Sequence, residues 1–165
     1  MSPPRQRAAR PPFEEIVAEH GSVVMRVCRA LLGPADAADA WSETFLSALQ
    51  AYPRLAANSN VRGWLVTIAH RKAIDHLRGA ARRAEPKREV ADPAVPEPAS
   101  ADDDELRTAL DDLPPKQRGA VIYRYLAGLS YSEVGELLGS NATAARRSVA
   151  DGIANLRKRL SKGTP

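Results

Sequence analysis

No stretch of this chain limits its fold more than residues 84–105. These 22 residues hold four prolines, eight acidic residues and no aromatic residue. Such a composition buries too little apolar surface to offset the entropy of ordering it. The 165-residue chain is therefore divided into two short units, 13–83 and 106–165, preceded by a basic, proline-rich tail, 1–12. As a flexible coil the connector spans roughly 25 Å, and fully stretched it reaches about 70 Å. The two units can thus sit far apart on one target. Charge follows the same division. Residues 1–84 carry 12 Lys/Arg against 7 Asp/Glu, residues 85–105 carry 2 against 8, and residues 106–165 carry 10 against 5. Two basic blocks on either side of an acidic connector suit a polyanionic partner, most simply nucleic acid. The plainer alternative is the basic surface common to many soluble proteins.

Several classes of function find no support. The single cysteine, Cys28, excludes an intrachain disulfide and falls among the apolar positions of a helix. His20, His70 and His76 lack a second ligand at metal spacing, so no metal site is expected. There is no phosphate-binding glycine loop, no carboxylate cluster suited to a metal and no nucleophile paired with a base. No cofactor and no enzymatic activity are expected. No apolar run reaches 18 residues, and the N-terminus lacks a signal-peptide core. These features predict a cytoplasmic protein without membrane insertion.

The first unit reads as three helices. In Phe13 to Leu32, Phe13, Ile16, Val17, Val23, Val24, Val27 and Leu31 recur at spacings of three and four, and Gly33-Pro34 ends the run. Ala35 to Tyr52 places Ala40, Trp41, Thr44, Phe45, Ala48, Leu49 and Tyr52 on one side. Asp36, Asp39 and Glu43 form an acidic stripe, either a solvated face or a docking surface. After the loop 53–60, a helix from Val61 to about Arg83 can turn Leu65, Ile68, Ala69, Ala73 and Leu77 to a core. Trp64, Arg71, Asp75, Arg78 and Arg82 fall within about 60° of one another on an ideal helix. Asp75 is spaced to pair with Arg71 and Arg78. An aromatic beside arginines can stack on unpaired bases and contact phosphates. Equally, Trp64 can belong to the core and the arginines to a solvated face.

The second unit reads as short helices over 106–113 and 116–127, followed by the stretch Leu129 to Leu160. There Ser130 and Glu133 form a capping box, Val134, Leu137 and Leu138 give an apolar face, and Gly139 stops the helix. Ser140 and Asn141 make the turn. The next helix carries Ala145, Val149, Ile153, Leu156 and Leu160 as a buried stripe, with Thr143, Arg147, Ala154 and Lys158 opposite. A short helix, a glycine turn and a longer basic helix make a helix-turn-helix, whose second helix can enter the DNA major groove. The fold class is all-α: two small helical domains joined by a flexible acidic, proline-rich linker, the second with a helix-turn-helix.

Two segments of the first unit, DAADAWSETFLSAL (36–49) and GWLVTIAHRKAIDHLR (63–78), resemble the second conserved region of the extracytoplasmic-function, or group IV, sigma factors. LDDLPPKQRGAVIYRYLAGLSYSEVGELLG (110–139) resembles the start of their fourth region. The resemblance covers about 13–83 and 106–160. It implies that Asp36, Asp39, Ser42, Glu43, Phe45 and Leu46 bind the clamp helices of the beta-prime subunit of bacterial RNA polymerase core. It implies that Asn58, Asn60, Arg62, Trp64, Arg71, Lys72, Asp75, Arg78 and Arg82 bind and open the −10 promoter element. It implies that Ser130, Tyr131, Asn141, Thr143, Arg146 and Arg147 serve the −35 element, while the second unit touches the beta flap. An anti-sigma factor is a further partner that the resemblance implies.

The chain departs from the family pattern at several places. Ala38 and Ser42 replace the usual Glu and Gln, and Arg71 replaces an Asn. Thr143-Ala144-Ala145 stands where Gly-Thr-Val is common, and Asp151-Gly152 where Arg-Ala is common. The competing reading is a conventional dimeric helix-turn-helix regulator that binds operator DNA. The acidic stripe on 36–43 favours the sigma reading, since such a regulator needs no clamp-binding surface.

Overall fold

The computed structural model describes residues 10–83 and 101–163, and no strand occurs among them. The first unit comprises α1 (Phe13–Leu32), α2 (Pro34–Ala51), a 3-10 turn (Tyr52–Arg54) and α3 (Val61–Arg82). These bounds agree closely with the apolar periodicity. Asn60 caps α3 by accepting the Gly63 N–H at 3.2 Å. Ile16, Val24 and Cys28 of α1, Ala37, Ala40, Phe45 and Ala48 of α2, and Leu65 and Ala69 of α3 form a buried core. Phe13, Trp41 and Tyr52 edge it, with Trp41 and Phe45 ring centroids 4.6 Å apart. Trp41 is fixed by its indole N–H, which donates to the Gly21 carbonyl at 2.8 Å.

Part of the expected basic tail is structured. Arg10 donates to the carbonyls of Tyr52 and Leu55, its guanidinium lies over the Tyr52 ring, and Tyr52 donates its hydroxyl to the Pro11 carbonyl. The Tyr52 carbonyl also accepts the Leu55 N–H at 3.1 Å, so Arg10 adds a second donor at the 3-10 turn. Residues 1–9 and 84–100, which hold the rest of the tail and most of the linker, lie outside the described residues.

The second unit begins earlier than its sequence suggests. Here α4 runs Ala101–Asp111, so 101–105 belong to a helix and not to the linker. Negative side chains in the first turns of a helix offset its positive N-terminal dipole, so the acid run favours the helix it was expected to prevent. After it come α5 (Pro115–Val121), a π-helical turn (Ile122–Leu126), α6 (Tyr131–Leu137) and α7 (Ala142–Lys162). The π turn, closed by Ala127 N–H to Ile122 C=O at 3.2 Å, replaces the continuous α-helix expected to Ala127. It leaves Ile122 and Tyr123 buried while Tyr125 is exposed.

The two units share a core. Val27, Ala30 and Leu31 of α1 and Val66 and Ala73 of α3 are buried in one apolar cluster with Leu113, Tyr123, Ala127, Leu129, Val134 and the stripe of α7. Two polar contacts accompany it: Tyr123 hydroxyl with His70 Nδ1, and Asn60 Nδ2 donating to Glu133 Oε2 at 3.2 Å. The linker length allows wide separation, yet the units are docked.

Candidate nucleic-acid and partner interfaces

The outer face of α2 carries the first candidate site. Asp36, Asp39, Ser42 and Glu43 are exposed. Two large apolar residues stand among them, Leu46 at 62% and Leu49 at 50% exposure. At 100° per residue, these side chains fall within about 140° of one another. Phe45 does not belong to the face. It is 6% exposed and packs in the first core, so it corrects the expected anchor, whereas Leu49, expected inside, points out. Glu43 is partly engaged, its Oε2 3.2 Å from His76 Nε2 of α3.

The second candidate face lies on α3 and the preceding loop. Asn58, Arg62, Arg71, Asp75, Arg78 and Arg82 are exposed, and Trp64 and Lys72 are half-buried. Asn60 is exposed too, although its side chain serves as the α3 cap and meets Glu133. The expected pairing of Asp75 with Arg71 and Arg78 does not form: among the described residues no ion pair joins them. Exposed pairs of this kind gain little over hydration. Leu77, expected in the core, is 37% exposed. The N-terminal half of this face opens onto a groove. Asn60, Trp64, Thr67 and Arg71 line one wall, and Leu129, Glu133, Glu136 and Leu137 line the other.

The helix-turn-helix forms the third. Ser130 caps α6 by accepting the Glu133 N–H at 3.1 Å. The reciprocal half of the expected capping box is missing, since the Glu133 carboxylate reaches Asn60 instead. Gly139, at φ +68°, reverses the chain in the left-handed region that favours glycine, and Asn141 caps α7 by accepting the Ala144 N–H at 2.9 Å. Ala145, Val149 and Leu156 face inward as the stripe requires. Gly152 joins them, because a Cβ there would lie 2.7 Å from Val121 Cγ2. Asn155 donates to Gln117 Oε1 at 2.8 Å, and Arg159 pairs with Asp112 at 2.9 Å. These contacts fix α7 against α5 and α4. Thr143, Arg146 and Arg147 stay exposed. Arg146 is held over the Tyr131 ring at 4.9 Å, and Arg124, which the sequence reading passed over, lies 4.4 Å from the same ring. Asp151 is exposed and makes no ion pair with Arg147 among the described residues.

Titration is shifted where the units meet. Burial lowers the pKa of His70, and the Arg71 charge adds to the effect. Burial raises that of Tyr123. Neutral His70 and the protonated Tyr123 hydroxyl therefore meet as an uncharged pair. Burial lifts the Cys28 thiol to about 11, as suits a packing residue. Among the described residues no three His, Cys, Asp or Glu side chains group as metal ligands, and no helix is long and apolar enough to cross a membrane.

A helical unit with an exposed amphipathic face is thus joined to a helix-turn-helix with an exposed basic edge. The family Sigma-70 region 2 matches residues 16–83, and Sigma-70, region 4 matches 103–156. The chain is 34% identical over 166 residues to ECF RNA polymerase sigma factor SigE of Mycolicibacterium smegmatis, covering 94% of this chain and 64% of that protein. It is 32% identical to RNA polymerase sigma factor CarQ of Myxococcus xanthus, covering 93% of this chain and 92% of that one. Its fold is similar to that of the sigma factor RpoE of Bartonella quintana in complex with the anti-sigma factor NepR. The TM-score is 0.74 at 19% identity, covering 93% and 98% of the two chains. It is also similar to CnrH in complex with the cytosolic domain of CnrY. There the TM-score is 0.71 at 22% identity, covering 92% and 89%. The chain belongs to the extracytoplasmic-function group of sigma-70 family RNA polymerase sigma factors.

Proposed function

We propose that this chain docks on the clamp helices of core RNA polymerase through the exposed face of α2, opens the −10 element with α3 and loop 53–60, and seats α7 in the −35 element. The observation that carries the reading is the pair Leu46 and Leu49 exposed beside Asp39, Ser42 and Glu43. Apolar anchors supply affinity and the surrounding carboxylates supply steering and register. A regulator that only binds operators has no use for such a face. Trp64 and the arginines of α3 suit unpaired bases and phosphates. On α7, Arg147 points away from the buried stripe toward a groove, while Arg146, stacked on Tyr131, is set toward its wall. The chain supplies specificity and leaves catalysis to the polymerase, with which it acts in the cytoplasm. An anti-sigma factor is a fitting partner, by similarity to the RpoE–NepR complex.

Run-off transcription with purified core polymerase on genomic fragments tests the reading. Discrete transcripts that depend on this chain are expected. Operator binding as a dimer, with no chain-dependent transcript and no association with core, overturns it.

A further inference from the structure

One side chain of α3 reaches the outer face of α2. On an ideal helix His76 lies about 20° from Leu65, on the same stripe three turns later. Leu65 and Ala69 of that stripe are buried in the first core. At His76 the stripe meets a carboxylate instead: Nε2 lies 3.2 Å from Glu43 Oε2. The imidazole side chain is 18% exposed and that of Glu43 47%. An ionised carboxylate only accepts hydrogen bonds, so the ring nitrogen donates.

Glu43 stands at the margin of the α2 face. Ala37, Ala40, Thr44, Phe45 and Ala48 are buried and mark the inward side. Leu46 points about 180° from their mean direction and Glu43 about 120°. Asp36 and Asp39 on the same face have no ion pair among the described residues, whereas Glu43 is held. A long, exposed side chain loses rotamer freedom when a partner takes it. A half-buried ring fixed between two packed helices has already ordered this one, which lowers the cost of binding. The contact engages Oε2 and leaves Oε1 for a partner.

We infer that His76 is a positioning residue for docking on core polymerase. It holds Glu43 at the margin of the α2 face, where the carboxylate takes a basic side chain of the polymerase beside the anchors Leu46 and Leu49. Opposite charge at a fixed place sets register. The inference rests on the proposed docking role of α2, and His76 acts through Glu43.

The affinity of labelled full chain for core polymerase tests it in a double-mutant cycle. His76→Leu keeps apolar bulk and removes the donor, and His76→Gln keeps an N–H near the place of Nε2. A hydrogen bond of this kind is worth about three- to tenfold in affinity, and His76→Leu should lose that factor. His76→Gln should stay within about twofold of the parent, and in a Glu43→Ala background His76→Leu should change affinity by less than about twofold. Half-exposed pairs add little to stability, so the variants should unfold in urea as the parent does. If leucine disturbs the fold, His76→Ala takes its place in the cycle. Parent affinity in the donor-free variant overturns the inference. So does an equal loss in both backgrounds, which marks a general effect on α3. Parent affinity in Glu43→Ala overturns it too, and Leu46→Ala, Leu49→Ala run alongside then tells how far the failure reaches. If that chain also binds as the parent does, the docking role of α2 falls; if it binds weakly, only the role of Glu43 and His76 is lost.

Discussion

Replacing Leu46 and Leu49 together by alanine separates docking from folding. The exposed fractions are 62% and 50%. Fully burying a leucine side chain contributes about 1.5–3 kcal/mol, so covering the remaining exposed parts of both gives about 1.7–3.4 kcal/mol. That corresponds to roughly 20- to 300-fold in affinity. It is an upper range, since each alanine retains part of the apolar surface. Substitutions at exposed positions shift stability by no more than about 0.5 kcal/mol, so the double variant should unfold in urea almost as the parent does. Phe45→Ala is the contrasting control. Phe45 is buried, and its truncation should cost about 3–5 kcal/mol of stability. Titrating labelled chain with core polymerase gives the affinities, and circular dichroism in urea gives the stabilities. A folded Leu46→Ala, Leu49→Ala chain that binds core as tightly as the parent would refute the docking role of α2.

Three further outcomes are expected. Gly152→Ala gains about 1 kcal/mol of helix propensity but forces a methyl to 2.7 Å from Val121 Cγ2. Overpacking costs about 1–3 kcal/mol, so urea denaturation should show a net loss of up to about 2 kcal/mol, and a gain would contradict the packing. Arg147→Ala should flatten base preference at one or two −35 positions by about 1–3 kcal/mol, while Arg146→Ala weakens all −35 sequences alike and lowers the salt slope by about one phosphate. A sequence-preference assay with the two roles exchanged would mean that α7 sits rotated in the groove. Finally, His70 faces Tyr123 and Arg71 and titrates below its ordinary 6.5 when the units are docked. The undocked chain takes the proton first, so docking is fully favoured above about pH 6.5 and weakens as pH falls below it, by at most about 1.4 kcal/mol per unit. Scattering between pH 7.5 and 5.5 should show the chain expand. His20, also lowered by burial, makes His20→Gln the necessary control, and an expansion unchanged in His70→Gln would exclude His70 as the cause.

Local signals were legible where one helix decides the matter. The run of apolar residues from Phe13 placed α1, and the oxygens of Ser130 and Asn141 marked the starts of α6 and α7. The inward stripe of α7 followed from spacing alone. What escaped depends on neighbours distant in sequence. Phe45, Leu46 and Leu49 are all apolar, and only packing against α1 and α3 decides that the first turns in. The pairing of His70 with Tyr123 joins residues 53 apart, beyond any periodic signal. Spacing made Asp75 able to meet Arg71 and Arg78, but ion pairing in water gives too little to hold long arginines there. Gly152 reads as a weak point in a helix until Val121 is seen against it. The acids at 102–105 read as linker because their charge is the same whether they are solvated in a coil or stabilise the start of a helix.

The shared core has a consequence for how the chain is made. Val66 and Ala73 of α3 are covered by a cluster that includes Leu129 and Val149, residues that leave the ribosome much later. Ala73 and Leu129 are 56 positions apart. At about 5–20 residues per second, that interval is roughly 3–11 seconds. During it the first unit is on its own, with Val27, Ala30 and Leu31 of α1 and Val66 and Ala73 of α3 not yet covered by the second unit. A nascent chain stalled between these positions is the form most open to a chaperone, and a message cut short in the linker yields a fragment prone to aggregate.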